Sequence, residues 1–320
     1  MSKNLYYNYP IKFSTLHELC KINNIKSVYI FIDLLSITRG FYNKSTILYE
    51  ISNYLETKKL PTFMIDELRS FLNNIYNNLK QYSPKFIIFY DYGICSQNKS
   101  VCNGYKKRSM MTDIPDHEID LMKYIRSYYL SKIQEIFVKP KISTVINLEE
   151  YESDLVPHLI LSNNMIDTND NTLCIILSSD KDLLQTCHLG NIVQCVNRYN
   201  EKDRQYSINI YNNENAIGYF HKSFERGLID SKYIPLILSL SGDKSDNIDG
   251  IKGIGYAKAY NLIVKHKLPH DIGPGTILPE IINEYRDLII RNLNLIDFNR
   301  QIRRLTPLVI DSVKIKLTNL

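Results

Sequence analysis

Eight acidic residues stand where their side chains could hold metal ions. Asp33 and Asp91 each end an apolar run, SVYIFID and KFIIFYD, and Asp180 follows a third, LCIILSS. Carboxylate oxygens without histidine or cysteine favour Mg²⁺ or Mn²⁺. Two such ions can polarise a phosphate, activate a water and support the leaving oxygen, which predicts phosphodiester hydrolysis. The candidate ligands are Asp33, Asp91, Glu152, Asp154, Asp180, Asp182, Asp243 and Asp246.

Some of these acids also have a purely structural explanation. Glu152 and Asp154 begin the run YESDLVPHLI, where acids suit the N-terminal end of a helix, and Asp180 could cap a short helix. Asp33 or Asp91 alone could be an ordinary acid at a strand end. Together these explanations are weak, because so many carboxylates at one edge would repel each other unless a cation neutralised them.

The stretch GDKSDNIDGIKGIG, residues 242–255, combines two acids with closely spaced glycines. Asp243 and Asp246 are three residues apart, which places both on one side of a turn or helix end. Gly250, Gly253 and Gly255 allow a tight hairpin that approaches a ligand closely. The following run, 256–266, has the apolar spacing of a helix, whose N-terminus could bind a phosphate. A surface turn between two helices is the alternative interpretation.

The elements that would position these residues alternate between strands and helices. The three apolar runs read as buried parallel strands, with shorter strands at 144–146 and 192–196. Helices are predicted at 11–24, 65–82, 215–226, 233–241, 256–266 and 278–291. The predicted fold is an α/β domain, 1–205, with a mostly parallel sheet flanked by helices, followed by a helical domain, 206–320, whose hairpin spans 242–266.

A long insertion at about 92–140 emerges beside the predicted site. It contains the cluster Tyr105, Lys106, Lys107 and Arg108, in which the tyrosine could stack on a base while the cations contact phosphates. Its second part, 117–137, is amphipathic at helical spacing. Taken alone, the cluster favours a solvated loop that carries basic residues.

Composition excludes several classes of protein. The chain has 320 residues, and the 44% that are hydrophobic favour a globular protein. Its net charge of +5 favours an anionic partner. Its six cysteines form no CxxC pair, so we expect neither a zinc site nor a disulfide framework. No signal peptide and no apolar run of membrane-spanning length is visible. We therefore expect a location in the cytoplasm.

The motifs together resemble the 5′-nuclease family of flap endonucleases, 5′–3′ exonucleases and phage primer-removing nucleases, and most of all its phage members. FIDLLSITRGFY and IIFYD are similar to the family's first two strand-end Asp motifs, YESD to its E-x-D pair, and SSDKDLLQ to its D-x-D-x-x-Q pattern. GDKSDNIDGIKGIG is similar to its helix–three-turn–helix signature. These motifs, with a C-terminal run that includes Asp297, occur in the family's order along nearly the whole chain.

The resemblance implies a PIN-like nuclease core with two Mg²⁺ or Mn²⁺ ions at the acids and K⁺ at the hairpin. The insertion would be a helical arch around a 5′ single strand, with Lys106 and Arg108 acting on the scissile phosphate. The implied activity is cleavage of 5′ flaps, 5′ ends or RNA primers on branched or nicked duplex DNA during replication and repair. We expect a monomer with replication proteins as partners, and the implied DNA-binding residues are Arg39, Tyr105, Lys107, Gly250, Gly253, Gly255 and Lys258.

The sequence also departs from the family pattern. Leu155 stands where many members have a further Asp, and Arg108 falls one residue early. Asp249 stands where the hairpin usually has Pro, and Lys258 falls one residue late. These departures leave two alternatives open: a catalytically silent protein that binds branched DNA, and an RNA-directed PIN-like nuclease, although PIN-like nucleases generally lack this hairpin.

Overall fold

A six-stranded sheet forms the centre of the N-terminal part of the molecule. The computed structural model describes residues 14–41, 56–57, 63–91, 96–101, 105, 132, 141–200, 205–220 and 229–320. The strands are β1 Ser27–Asp33, β2 Lys85–Phe89, β3 Ser143–Ile146, β4 Thr172–Leu177, β5 Ile192–Asn200 and β6 Gln205–Tyr211. Their order in the sheet is β3-β2-β1-β4-β5-β6; the first five strands are parallel, and β6 runs antiparallel to β5.

The central strands are apolar along their whole length because both faces of the sheet are covered. In β1, Ile30 and Ile32 pack against the helices Ser14–Ile22 and Phe63–Leu79 on one face. Phe31 packs on the other face against Leu155–Ser162. The register pairs Asp33 at the end of β1 with Phe89 at the end of β2. These strands therefore end together at one edge of the sheet.

The helices lie on both faces of the sheet and make up most of the C-terminal part. A separate hydrophobic cluster is formed by apolar residues of 234–296 together with Tyr105, Leu184, Ala216 and Ile217. Among the described residues, no helix combines the length and apolar character needed to cross a membrane. The 3₁₀ helices are Lys80–Tyr82, Lys181–Leu189, Ala216–Tyr219 and Ser231–Tyr233. The α-helices are Ser14–Ile22, Leu34–Phe41, Phe63–Leu79, Ser96–Val101, Leu155–Ser162, Ile234–Ser241, Tyr256–His266, Glu280–Asn283, Arg286–Ile296, Phe298–Ile302 and Pro307–Leu317.

The predicted mostly parallel sheet flanked by helices is confirmed, and the helix at 256–266 has the predicted bounds. The predicted helix at 278–291 is instead two helices, Glu280–Asn283 and Arg286–Ile296, because the chain leaves helical geometry at Tyr285 (φ −98°, ψ 13°). Of the helix predicted at 215–226, the described part is a 3₁₀ turn, and 221–228 lie outside the described residues. Most of the insertion at 92–140 also lies outside them.

Strand β6 corrects the expectation that the chain becomes mainly helical from residue 206. It pairs with β5 over seven residues, from Gln194 opposite Tyr211 to Asn200 opposite Gln205. The alternation of Tyr206, Ile208 and Ile210 with polar residues is the pattern of a half-covered antiparallel strand. The helical part of the chain therefore begins after Tyr211, and the sheet extends past the predicted domain boundary.

Candidate active site

Five of the eight predicted acids line one cleft at the carboxyl ends of the parallel strands. The cleft has a volume of about 300 Å³. Its acidic lining comes from the ends of β1 and β2, the start of the helix Leu155–Ser162, the turn after β4, and the turn after Asp243. This is the edge of an open α/β sheet at which ligands bind. The five acids are Asp33, Asp91, Asp154, Asp180 and Asp246.

Hydroxyl and amide groups hold Asp33 in place. Ser178 Oγ donates to Asp33 Oδ2 at 2.6 Å, and the Ser36 amide donates to Oδ1 at 3.0 Å. Burial raises the pKa of Asp33 to about 6 although these hydrogen bonds oppose the shift, and the nearby charges of Asp180 and Asp91 raise it further. A cation at this position would remove the charge repulsion that helps to raise the pKa.

Gln194 supports the same turn from β5 and was missed by the sequence analysis. Its buried side-chain amide donates to the carbonyls of Ser178 at 3.1 Å and Asp180 at 2.6 Å. Ser178 Oγ in turn accepts the Asp180 amide at 3.0 Å. The available signal was a polar residue within the apolar run IVQCV, a position at which a buried amide must find partners.

The D-x-D-x-x-Q spacing folds into a capped 3₁₀ helix. Asp180 is the N-cap, and its Oδ1 accepts the Asp182 amide at 3.0 Å, so the predicted capping role is present beside the predicted site role. Gln185 Nε2 donates to the carbonyls of Asp182 at 2.9 Å and Ile296 at 3.0 Å, and its Oε1 accepts the Phe298 amide. Gln185 thereby ties the acidic turn to the C-terminal helices.

A second group of acids lies beside the cleft. One side-chain oxygen from each of Asp182, Asp243 and Asp246 lies within 4.8 Å of the others. Lys181 Nζ lies 2.6 Å from Asp243 Oδ2 and 3.8 Å from Asp182 Oδ1. Lys181 is therefore a cation that faces a buried oxygen of each of these two acids.

The two buried acids of this group have opposite pKa shifts. Burial, together with the charge of Asp180, holds the pKa of Asp182 well above its usual range. Burial also acts on Asp243, but the hydrogen bonds and charge of Lys181 and Ser245 lower its pKa. Asp243 has the closer ammonium and two hydrogen bonds from Ser245, whereas Asp182 lies beside the negative charge of Asp180.

Asp91 and Glu152 have different surroundings. Asp91 Oδ1 accepts the Ser153 amide at 2.7 Å and lines the cleft. Glu152 is only 5% exposed, and its Oε2 accepts a hydrogen bond from the Tyr105 hydroxyl at 2.9 Å. Tyr105 is 4% exposed, so the structure differs from the expectation that its ring is presented to a base. The physical reason for the difference is that the Tyr105 ring packs in a hydrophobic cluster while its hydroxyl finds a buried acceptor.

The glycine-rich stretch is a close backbone crossing followed by a turn. Strands β7, Gly242–Asp243, and β8, Ile248–Asp249, form an antiparallel pair. A Cβ on Gly250 would lie 2.2 Å from the backbone nitrogen of Gly242, so neither position has room for a side chain. Gly253 has φ +78°, which favours glycine, and Gly255 immediately precedes the helix Tyr256–His266. The exposed Lys258 donates to the Gly253 carbonyl at 3.4 Å.

Four of the predicted site residues have side chains outside the described part of the structure. Lys106, Lys107 and Arg108 lie outside the described residues. Arg39 lies in the helix Leu34–Phe41, and the description covers its backbone alone. Tyr219, which the sequence analysis did not select, lines the cleft.

The described donor set fits a divalent cation that prefers oxygen ligands. The polar groups that line the cleft are carboxylates, hydroxyls and the ammonium of Lys181, and the carboxylates of Asp182 and Asp243 are buried beside it. Buried carboxylates require a cation or hydrogen-bond donors as partners. Mg²⁺ and Mn²⁺ bind such oxygens, and no histidine or cysteine belongs to the acidic group that could hold a metal.

Comparison with curated proteins finds two similar polymerases. DNA polymerase I of Borreliella burgdorferi is 31% identical over 227 residues, which make up 69% of this chain and 21% of the polymerase. DNA polymerase I of Caldicellulosiruptor bescii is 25% identical over 236 residues, 72% of this chain and 25% of that polymerase. The chain thus spans a quarter or less of the curated relatives it matches. No family model matches the chain.

Solved structures with the same fold come from phage T5. The zinc-bound T5 5′-exonuclease is 18% identical, with a TM-score of 0.57 over 91% of this chain and 98% of that one. A T5 flap endonuclease in a complex with DNA and metal ions is 17% identical, with a TM-score of 0.61 over the same shares. The resemblance to the 5′-nuclease family is therefore confirmed at the level of the fold: this chain folds as the T5 5′-nuclease does.

Proposed function

We propose that the protein is a metal-dependent 5′-nuclease that hydrolyses phosphodiesters at 5′ ends, flaps or RNA primers of branched or nicked duplex DNA. The observation that supports this most strongly is the convergence of Asp33, Asp91, Asp154, Asp180 and Asp246 on one cleft at the sheet edge. The names of the two similar polymerases and of the T5 nuclease complex state that these proteins act on DNA or bind it. The same activity in this chain is our proposal.

The proposal gives each acid a role. Asp33, Asp91, Asp154 and Asp180 would hold one divalent cation, and Asp182, Asp243 and Asp246 a second, with Glu152 behind them. Two Mg²⁺ or Mn²⁺ ions would lower the pKa of a water and neutralise charge on the phosphate. Lys106 and Arg108 follow Tyr105 in sequence, and in this proposal they stabilise the negative charge that develops on the phosphate.

The hairpin and its helix would hold the duplex. Gly253 and Gly255 leave the backbone accessible, and the N–H groups at the start of Tyr256–His266 can donate to a DNA phosphate. Lys258 and Lys252 are exposed beside this turn and add positive charge, while Arg39 and Lys107 would add further contacts. K⁺ at the hairpin, replication proteins as partners, a monomeric state and a cytoplasmic location belong to the same proposal.

Cleavage of a 5′-labelled flap duplex tests the proposal. Wild type is compared with Asp180→Ala in Mg²⁺, Mn²⁺ and EDTA. Asp170→Ala is the matched control, because Asp170 is an exposed acid that precedes β4, whereas Asp180 follows the other end of that strand. We expect metal-dependent cutting near the junction in wild type and Asp170→Ala, and a loss of at least about 100-fold in Asp180→Ala.

Two results would contradict the nuclease. Tight flap binding without cutting in either metal would support the catalytically silent DNA-binding alternative. Cutting of single-stranded RNA in preference to the flap would support an RNA-directed nuclease.

A further inference from the structure

Lys181 lies among the carboxylates that the proposed function assigns to a divalent cation. Its ammonium is 2.6 Å from Asp243 Oδ2, 3.8 Å from Asp182 Oδ1 and 2.9 Å from Ser245 Oγ. The side chain is 18% exposed, and that of Asp243 is 2% exposed. The contacts therefore form in a largely desolvated place, where charges interact more strongly than at the surface.

We infer that Lys181 is a built-in counter-cation, which offsets part of the negative charge of the Asp182, Asp243 and Asp246 cluster without metal and must withdraw before a divalent cation can bind there. This inference rests on the proposed function to the extent that a divalent cation binds these acids. It adds that the protein itself weakens this site, through a residue that is not a ligand.

Charge and geometry both support competition. The cluster presents three acids to one small volume, and Lys181 brings a positive charge into contact with two of them. The ammonium faces one buried oxygen of Asp243, at 2.6 Å, and one of Asp182, at 3.8 Å. An ion that took those oxygens as ligands would lie too close to the ammonium for both cations to stay.

The neighbouring Ser245 gives Lys181 its position. Ser245 Oγ donates to Asp243 Oδ1 at 2.6 Å and accepts from Lys181 Nζ at 2.9 Å. The lysine is thus held by a hydroxyl that is itself fixed by the hairpin acid. Because the Lys181 side chain is already held in place, it offsets the negative charge of the acids with a smaller loss of side-chain entropy than a freely moving lysine would.

Mn²⁺ titration of the DNA-free full chain by calorimetry tests the inference. Lys181→Met should bind Mn²⁺ at this cluster about tenfold or more tightly than wild type, because the competing charge is gone. Lys244→Met is the matched control: Lys244 is an exposed lysine between Asp243 and Ser245, and its loss should change affinity less than about threefold. In EDTA, Lys181→Met should also melt below wild type.

Equal or weaker Mn²⁺ binding by Lys181→Met would overturn the inference, as would a gain of the same size in Lys244→Met. Wild type provides a test that does not depend on a variant folding. Reductive methylation followed by mass spectrometry should modify Lys181 slowly in EDTA and faster with Mn²⁺, while Lys244 reacts quickly in both. Methylation of Lys181 that is unchanged by Mn²⁺ would contradict its withdrawal. These Mn²⁺ measurements contain no DNA. If they gave the expected results but the protein cut no flap, the proposed function would be wrong and the inference about Lys181 would stand.

Discussion

The Tyr105 hydroxyl donates a hydrogen bond of 2.9 Å to Glu152 Oε2, although the two residues are 47 positions apart in the chain. Both are buried. Tyr105 lies in the insertion and Glu152 follows β3, so this bond ties Tyr105 to a predicted acid of the site. It also brings the residue that precedes Lys106 next to a predicted metal ligand.

Tyr105→Phe should therefore lower the free energy of unfolding by about 1–3 kcal/mol, because a buried carboxylate loses a hydrogen bond. A double-mutant cycle with Glu152→Ala, followed by urea unfolding in EDTA, should give a coupling energy of about 1 kcal/mol or more. Tyr82→Phe is the control, since that hydroxyl donates at 3.3 Å to the neutral carbonyl of His17. Strictly additive effects of the two substitutions would contradict the bond.

Leu155→Asp should destabilise the protein rather than complete a metal site. Leu155 is 1% exposed and packs in the hydrophobic cluster between the sheet and Leu155–Ser162. An Asp there would lose the apolar burial and bury a charge, at a cost of about 4 kcal/mol or more.

Thermal unfolding of Leu155→Asp and of Leu155→Met tests this prediction. Leu155→Met conserves the side-chain volume and should lower the free energy of unfolding by less than about 1.5 kcal/mol. A Leu155→Asp protein that melts like wild type and binds Mn²⁺ more tightly would show that the side chain reaches the cleft.

Gly250→Ala should be among the most damaging single changes in the hairpin. The new Cβ would lie 2.2 Å from the nitrogen of Gly242 and from the carbonyl carbon of Ser241, and backbone atoms cannot move aside as a side chain can. We expect a loss of about 3 kcal/mol, the upper end of overpacking costs. Gly275→Ala is the matched control, because no atom lies within 4 Å of its Cβ, and it should stay within about 0.5 kcal/mol of wild type. Equal melting temperatures for the two variants would show that the crossing can open.

His158 should make stability depend on pH below neutrality. Burial lowers the pKa of this imidazole to about 4, although a hydrogen bond with Asn299 opposes the shift. Its nitrogens face Thr186 Oγ1 and Asn299 Oδ1, each at 3.2 Å, and the nearby His188 also disfavours a charge. Between about pH 6.5 and pH 4 the unfolded chain binds a proton that the folded chain does not, so stability falls as pH falls, by up to about 3 kcal/mol.

The measurement is urea unfolding of wild type and His158→Asn in EDTA from pH 7 to pH 4.5. Asp33 acts with the opposite sign, since its raised pKa makes the folded chain bind a proton below about pH 6, but it does so in both proteins. The difference between them should therefore isolate His158. An unchanged pH dependence after the substitution would contradict a buried neutral imidazole.

The sequence by itself determined the parallel strands, the acids at their ends and the glycine hairpin, but not the antiparallel strand β6. SVYIFID became β1 with its predicted bounds, and Tyr256–His266 became the predicted helix, because continuous apolar runs and helical spacing are local patterns. The carboxyl ends of parallel strands meet at one edge, so the convergence of Asp33, Asp91 and Asp180 also followed from sequence order. The hairpin glycines likewise follow from local sterics, since Gly250 has no room for a Cβ.

Contacts between distant segments were decided by the tertiary structure alone. Nothing local predicts that Gln194 supports the Asp180 turn or that the Tyr105 ring is buried against Glu152 rather than exposed to a base. Lys181 reads as a charged residue between two acids, and its contact with Asp243 arises only when the hairpin folds over the end of β4. Residue type and periodicity are encoded locally, whereas the partner of a buried polar group is chosen by the packing of the whole chain.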